Sequence, residues 1–385
     1  MNPNAEFDII VHGATGFTGR LVAEHLHNRY GNNGAVKWAM SGRSAAKLAK
    51  VRDLIGAAAD TPLIVADAAD ADSLAAMVRR TKAVITTVGP YQLYGEPLVA
   101  ACAAAGTDYL DLSGEPSWMA EMILAHDAAA KASGARILFS CGFDSIPFEL
   151  GVFYTQSLAH KHFGGPVPYI GGRVRNMSGG LSGGTAASGR ATMAAIQKNP
   201  ALMAVMFNPF ALTPGFKGPE QPRGDSARFD DVLGVDVGPF MMAVINTKNV
   251  HRSNLLQHHA YGENFTYDEM AVIQPGAQTE FPSLDGDDVP KPGEGPSKAE
   301  REAGFYDLLF VGVAADGRQV RGAVHGDKDP GYGSTSKLIA ETALCLINES
   351  PEVPGGIWVP GAAMGQRLVD RLQAHAGLTF TDETA

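Results

Sequence analysis

Between residues 7 and 160, short apolar runs alternate with longer stretches in which apolar positions recur every three or four residues. The runs FDIIV, VKWAM, PLIVA, KAVITTV, DYLDL and RILFS read as strands. The stretches that follow them, 17–30, 44–56, 70–79, 95–105, 116–132 and 146–161, read as helices. Such βαβα succession implies a parallel sheet with helices on both faces. The pattern predicts a Rossmann-like, doubly wound domain of about six strands over residues 1–160.

From about residue 165 the rhythm changes to glycine-rich loops and strand-like alternation, as in FMMAVINT (240–247) and YDLLFVGVAA (306–315), with few regular helices. This predicts an α+β domain over 161–330, built on a mixed or largely antiparallel sheet. Residues 274–301 are rich in Pro, Gly and charge and read as a long surface loop. The stretch 326–348 predicts a turn and then a helix, with Leu338, Ile339, Ala343, Leu344 and Ile347 at helical spacing. It opens a C-terminal segment, 331–385, expected to pack back on the first domain. The fold class is therefore α/β, a Rossmann-like parallel sheet with a second α+β domain.

Length supports two domains, since 385 residues exceed the roughly 100–200 of an ordinary one. With 31 basic and 41 acidic residues, a net charge of −10 and no basic block, nucleic acid is not an expected partner. Cys102, Cys141 and Cys345 are too widely spaced for a disulfide framework or a zinc site. The pairs His25/His27, His160/His162 and His258/His259 lack the carboxylate or cysteine spacing of a metal centre, so no metal is expected. The start, MNPNAEFD, lacks the blocks of a signal peptide, and no apolar run nears the roughly 18–20 residues of a membrane span. A cytoplasmic protein is expected. ALMAVMFNPFAL (201–212), bounded and broken by Pro200, Pro209 and Pro214, leaves peripheral membrane contact open. The longer Met-rich segment 201–216 reads as an acyl-tunnel wall or as a core or oligomer contact, with a homodimer among the options.

The candidate chemistry begins directly behind the first strand, in VHGATGFTGR (11–20). Gly13 and Gly16 permit a tight turn and close backbone approach, Thr15 and Thr18 flank the helix start at Phe17, and Gly19 lets that helix lie close to the sheet. The helix N-terminus then faces an anion, as a dinucleotide pyrophosphate site requires. The second strand ends in Ser41, Gly42 and Arg43, where an NAD site usually offers a carboxylate. A guanidinium can pair with a 2′-phosphate, so NADP(H) is the expected cofactor, with Lys47 as a second cation or a solvated helix residue. Asp67 lies near the adenine or caps the helix after it. Val88, Gly89, Pro90 and Tyr91 belong over the ribose and nicotinamide. Cys141, Gly142, Phe143 and Asp144 close the nicotinamide end, unless Asp144 and Ser145 only cap the next helix. None of the ten tyrosines has Lys four residues on, which disfavours a short-chain dehydrogenase.

GATGFTG, SGRS, TTVGPYQLYGEPLVAACAAAGTDYLDLSGE (86–115), CGFDSIPFELG (141–151) and SGGTAAS (182–188) resemble the saccharopine dehydrogenase-like oxidoreductases, and most of all the trans-acting enoyl reductases of actinobacteria. The resemblance implies a Rossmann domain, an α+β domain and a returning C-terminal segment. It also implies reduction of a carbon–carbon double bond in a small-molecule or carrier-bound acyl substrate, in trans to a polyketide synthase. Such chemistry needs a group to stabilise an enolate oxygen and a proton source. Tyr91, Asp144 and Thr185 are the candidates, with Tyr94 and Tyr332 as further donors. The glycine-rich turn before Thr185 and Ser188 offers backbone N–H groups to an oxyanion, or is an ordinary connector with an N-cap. Two alternatives stand beside this reading. One is a dehydrogenase of an amino-acid-derived secondary amine, with Arg173, Arg175 and Arg190 holding carboxylates. The other is a non-catalytic, lipid-associated cofactor-binding protein.

Overall fold

The structure, a computed structural model, describes residues 5–31, 34, 36–180, 182–273, 290–291 and 293–385. The first part of the chain forms β1 (Phe7–His12), α1 (Phe17–Tyr30), β2 (Trp38–Gly42), α2 (Ala45–Leu54), β3 (Leu63–Val65), α3 (Ala71–Val78) and β4 (Thr81–Thr86). It continues through α4 (Tyr91–Tyr94), α5 (Glu96–Ala105), β5 (Asp108–Leu110), α6 (Pro116–Ser133), β6 (Arg136–Leu138) and α7 (Ile146–Phe163). The middle supplies β7 (Tyr169–Ser178), α8 (Gly183–Lys198), α9 (Leu202–Phe207), β8 (Arg228–Asp230), β9 (Val235–Pro239), α10 (Ala243–Leu256) and β10 (Thr266–Val272). After it come α11 (Lys298–Ala303), β11 (Phe305–Val313), β12 (Gln319–Gly326) and a single π-helical turn, Pro330–Ser334. The C-terminal segment adds α12 (Thr335–Asn348), β13 (Gly356–Trp358), α13 (Pro360–Met364), α14 (Gln366–His375) and β14 (Leu378–Asp382).

The first sheet runs β13-β6-β5-β4-β1-β2-β3, and its strands pair in parallel throughout. Its central strands are buried on both faces: Ile9 and Val11 point into one core, Ile10 and Val84 into another. That is the reason the sequence reads as continuous apolar runs rather than alternation. The seventh strand, β13, comes from the C-terminal segment and extends the six-strand expectation by one. The second sheet, β14-β12-β11-β7-β10-β9-β8, is antiparallel except where β10 pairs with β7. Helices α7 and α12 fill the space between the sheets, and one core runs from Val11 through Leu344 to Phe310.

Three sequence expectations change. FMMAVINT is not a strand: the chain turns at Phe240–Met242 and becomes α10. The buried face of α10 carries Asn246, Asn249, Arg252 and Ser253 beside Ile245 and Val250, so hydrogen-bonded polar groups hide its helical period. The predicted loop 274–301 lies largely outside the described residues, but its end is helical. There Ser297 and Glu300 form a capping box that starts α11. The segment 331–385 does not pack on the first sheet alone, because β14 pairs with β12 at the edge of the second.

Candidate active site

The turn after β1 is shaped by two close approaches. Gly13 has φ +87°, and a Cβ on Gly19 would lie 2.3 Å from the Gly13 carbonyl oxygen. The N–H groups of Gly13 and Ala14 bond the Ser41 carbonyl, and that of Gly16 bonds Gly13. Those of Thr15, Phe17 and Thr18 have no partner among the described residues, and the N-cap Gly16 has no side chain to supply one. Free donors at the positive end of a helix dipole make a seat for a pyrophosphate.

Arg43 stands at the end of β2, exposed and without a hydrogen bond or ion pair among the described residues. Lys47 is exposed one turn into α2, its N–H bonded to the N-cap Ser44. Ser41 is buried, its hydroxyl 3.1 Å from both His12 Nδ1 and Met77 Sδ, so only its backbone serves the turn. Burial lowers the His12 imidazole to about 4, against a weaker pull from Asp67, and keeps it neutral beside the cradle. The cap of α3 is Asp70, not Asp67, whose Oδ1 accepts the Ala69 N–H instead.

The opposite end is framed by two loops and α8. Glu115 accepts the N–H groups of Tyr91 (3.0 Å) and Gln92 (2.7 Å), fixing the turn that follows Val88, Gly89 and Pro90. Ser188 of α8 also bonds Glu115, and Gln92 Nε2 reaches Thr192 Oγ1, so α8 lies against this loop. After β6, the Phe143 N–H donates to Thr335 Oγ1 at 2.9 Å, tying the second loop to the start of α12. Asp144 follows. Its surface is open to solvent, yet its carboxyl has no hydrogen-bond partner among the described residues and is pushed up to about 6 by the protein packed around it. Tyr332, 4% exposed, packs edge-on to Phe17 with ring centroids 5.1 Å apart. Its hydroxyl accepts the Ser182 N–H and bonds Thr185 Oγ1 at 2.8 Å. Burial raises the Tyr332 phenol, and the charge of Asp144 adds to the shift, which brings Asp144, Tyr332 and Thr185 into one neighbourhood.

Residues 9–138 match the family model described as the saccharopine dehydrogenase NADP binding domain. A Mycobacterium tuberculosis protein named trans-acting enoyl reductase is 36% identical over 404 residues, with 95% of this chain and 96% of that protein covered. A second M. tuberculosis protein, 37% identical over 411 residues with 97% of each chain covered, bears that name in provisional form. The chain belongs to the saccharopine dehydrogenase-like oxidoreductases. It shares its fold with saccharopine dehydrogenase (L-Glu forming) from Saccharomyces cerevisiae, at TM-score 0.56 and 11% identity, with 97% of this chain and 100% of that one covered.

As a saccharopine dehydrogenase-like oxidoreductase the protein binds NADP(H), and its residues fit the cofactor. The unpartnered N–H groups of Thr15, Phe17 and Thr18 suit the pyrophosphate, and the unpaired Arg43 suits the 2′-phosphate. Other expected site residues serve the framework. Tyr91 is buried, donates to the Thr86 carbonyl and accepts the Leu112 N–H, so its hydroxyl is committed and the geometry does not carry a catalytic role. Cys141 and Phe143 turn their side chains into the core, the thiol toward the Leu138 carbonyl and the ring against Tyr306, which leaves only their backbone to frame a ligand. The start of α8 is largely satisfied, with Gly183 N–H on the Glu294 carbonyl and Thr185 N–H on Ser182 Oγ. The N-cap reading of this turn therefore prevails over a backbone oxyanion site. Residues 180–184, GLSGG, also spell the G-x-S-x-G of a hydrolase elbow, but Ser182 is buried and caps α8.

Two residues escaped the sequence reading altogether. Glu115 is one: it precedes α6 without capping it, and its oxygens instead reach across to the Tyr91–Gln92 turn, a partnership that sequence does not spell. Arg301 is the other, its guanidinium 5.6 Å from the Phe17 ring centroid. Arg173 is buried against Asp230 and Asp268, and Arg175 pairs with Asp307 and Glu383, so neither is available to substrate carboxylates. Within the apolar stretch 201–212, α9 has no buried residue and Phe207 is 75% exposed, whereas Phe210 and Leu212 after it are buried, Leu212 in the same core as Ile245. Among the described residues no helix is long and apolar enough to cross a membrane.

Proposed function

We propose that this oxidoreductase is an NADPH-dependent enoyl reductase working in trans on an acyl thioester presented by a separate polyketide synthase. The observation that carries the reading is the exposed Asp144 carboxyl, without a hydrogen-bond partner among the described residues and raised to about 6, which lets it carry a proton in mildly acidic to neutral solution. NADPH, when bound, supplies the hydride that the β-carbon accepts. Asp144 delivers the proton to the α-carbon, completing the saturated bond. The Tyr332 hydroxyl, donating to Thr185 Oγ1, leaves the exposed threonine hydroxyl free to donate to the thioester oxygen as charge gathers there. The names of the relatives support the enoyl class. The internal pairing of Arg173 and Arg175 counts against a substrate with several carboxylates.

Single-turnover oxidation of NADPH against enoyl thioesters, keto acids and imines tests the proposal. Enoyl thioesters should react. Reaction of an imine or keto acid in their place would overturn it. Arg43→Ala is expected to weaken NADPH binding roughly tenfold, the loss of one charge-assisted contact, with NADH affinity unchanged. Calorimetric titration of both nucleotides reads this directly, and a preserved preference for NADPH would remove Arg43 from the 2′-phosphate site.

A further inference from the structure

A cavity of about 300 Å³ opens along α1 beyond its first turn, walled by α1, α11 and the 328–337 stretch. Four cations line it, Lys298, Arg301, Lys328 and Lys337, against the acids Glu24 and Glu302. This excess of positive charge reverses the sign of the chain as a whole, which carries a net −10. The four are only partly neutralised, with Glu302 near Lys298, Asp327 near Lys337 and Asp329 interacting with Arg301. Lys298 Nζ lies 3.8 Å from Glu302 and Lys337 Nζ 3.8 Å from Asp327, both beyond hydrogen-bond reach. Arg301 donates to the Pro296 carbonyl and lies over the Phe17 ring, while Lys328 has no hydrogen bond or ion pair among the described residues. Like charges gathered around one concavity repel each other unless an anion sits among them. The volume is at the lower end for a small-molecule site.

We infer that this cavity binds a small polyanion carrying phosphate groups, at a site separate from the NADP(H) seat. Three lysine ammoniums and a guanidinium match the charge and the acceptor oxygens of phosphate. Phe17 connects the two sites: its N–H faces the cradle and its ring lies under Arg301, whose side chain lines the cavity. The phosphate can come from a free polyphosphate or from the phosphorylated handle of a thioester, and the two sources differ in what else they carry.

The test titrates the NADPH-loaded protein, its cradle already filled, with inorganic pyrophosphate and with coenzyme A at low salt. The expected result is saturable binding of at least one probe that weakens with added NaCl and falls tenfold or more in Lys328→Ala/Lys337→Ala. NADPH affinity should be unchanged in that variant. Should the double variant fail to fold, Lys298→Ala/Lys328→Ala, built on an exposed helix and its neighbour, takes its place. Binding of pyrophosphate supports a free polyphosphate ligand; binding of coenzyme A alone supports a thioester handle. No binding of either probe at millimolar concentration, or equal binding by wild type and variants, would overturn the inference.

Discussion

Asp144→Asn is expected to slow reduction of the preferred enoyl thioester by roughly 10²–10⁴-fold, the usual range for loss of a positioned proton donor. NADPH affinity should stay within about twofold, because the change is isosteric and the pyrophosphate donors lie on another loop. The sign of the pH dependence follows from the role. A general acid works in its protonated form, so the wild-type kcat/KM should fall as pH rises through the Asp144 value of about 6. That limb should be absent in the asparagine variant. Stopped-flow oxidation of NADPH across pH 5–8 measures both effects. Full activity in the variant, or a wild-type rate that rises with pH over this interval, would remove Asp144 from the reaction. Thr185→Val separates the two proposed roles: it should lower the rate without moving the limb, since the threonine hydroxyl donates a hydrogen bond and does not titrate.

The glycine turn behind β1 was legible in the sequence because it is made of backbone. Gly13 and Gly19 stand where a side chain has no room, and only glycine spells that requirement in one letter. The parallel sheet was legible for a similar reason, its strands being buried on both faces. The rest depended on partners far away in sequence. Tyr91 and Tyr332 look alike as letters, yet one hydroxyl is held by Thr86 and Leu112 and the other by Ser182 and Thr185. Only the second stands with Asp144. In α10 the buried face is built from side-chain hydrogen bonds, among them Asn246 to Glu269 and Asn249 to Ser145, so an apolar period had no reason to exist. β13, three residues long, is too short to carry an alternation of its own.

Stability of the site's frame should rest heavily on one buried ion pair. Arg136→Met is expected to destabilise the protein by about 3–5 kcal/mol, because it leaves the Asp108 carboxylate buried without its counter-charge. Arg136 is 2% exposed, and its Nε and Nη2 bond Asp108 while Nη1 donates to the carbonyls of Leu346 and Ser350. The same side chain thus binds β5 to β6 and holds the C-terminal end of α12 against the first sheet. At the other end of α12, Thr335 receives the Phe143 N–H beside Asp144. Urea denaturation should show a lower midpoint at unchanged slope. Arg136→Met/Asp108→Asn should recover part of the loss, since it removes the stranded charge yet keeps an acceptor for the Arg136 N–H. Burial, the largest influence on Asp108, already raises its carboxyl, with Arg136 opposing the shift. A single variant with the wild-type midpoint would therefore mean that Asp108 takes up a proton when its partner is gone, and that α12 is held to the sheet by packing instead.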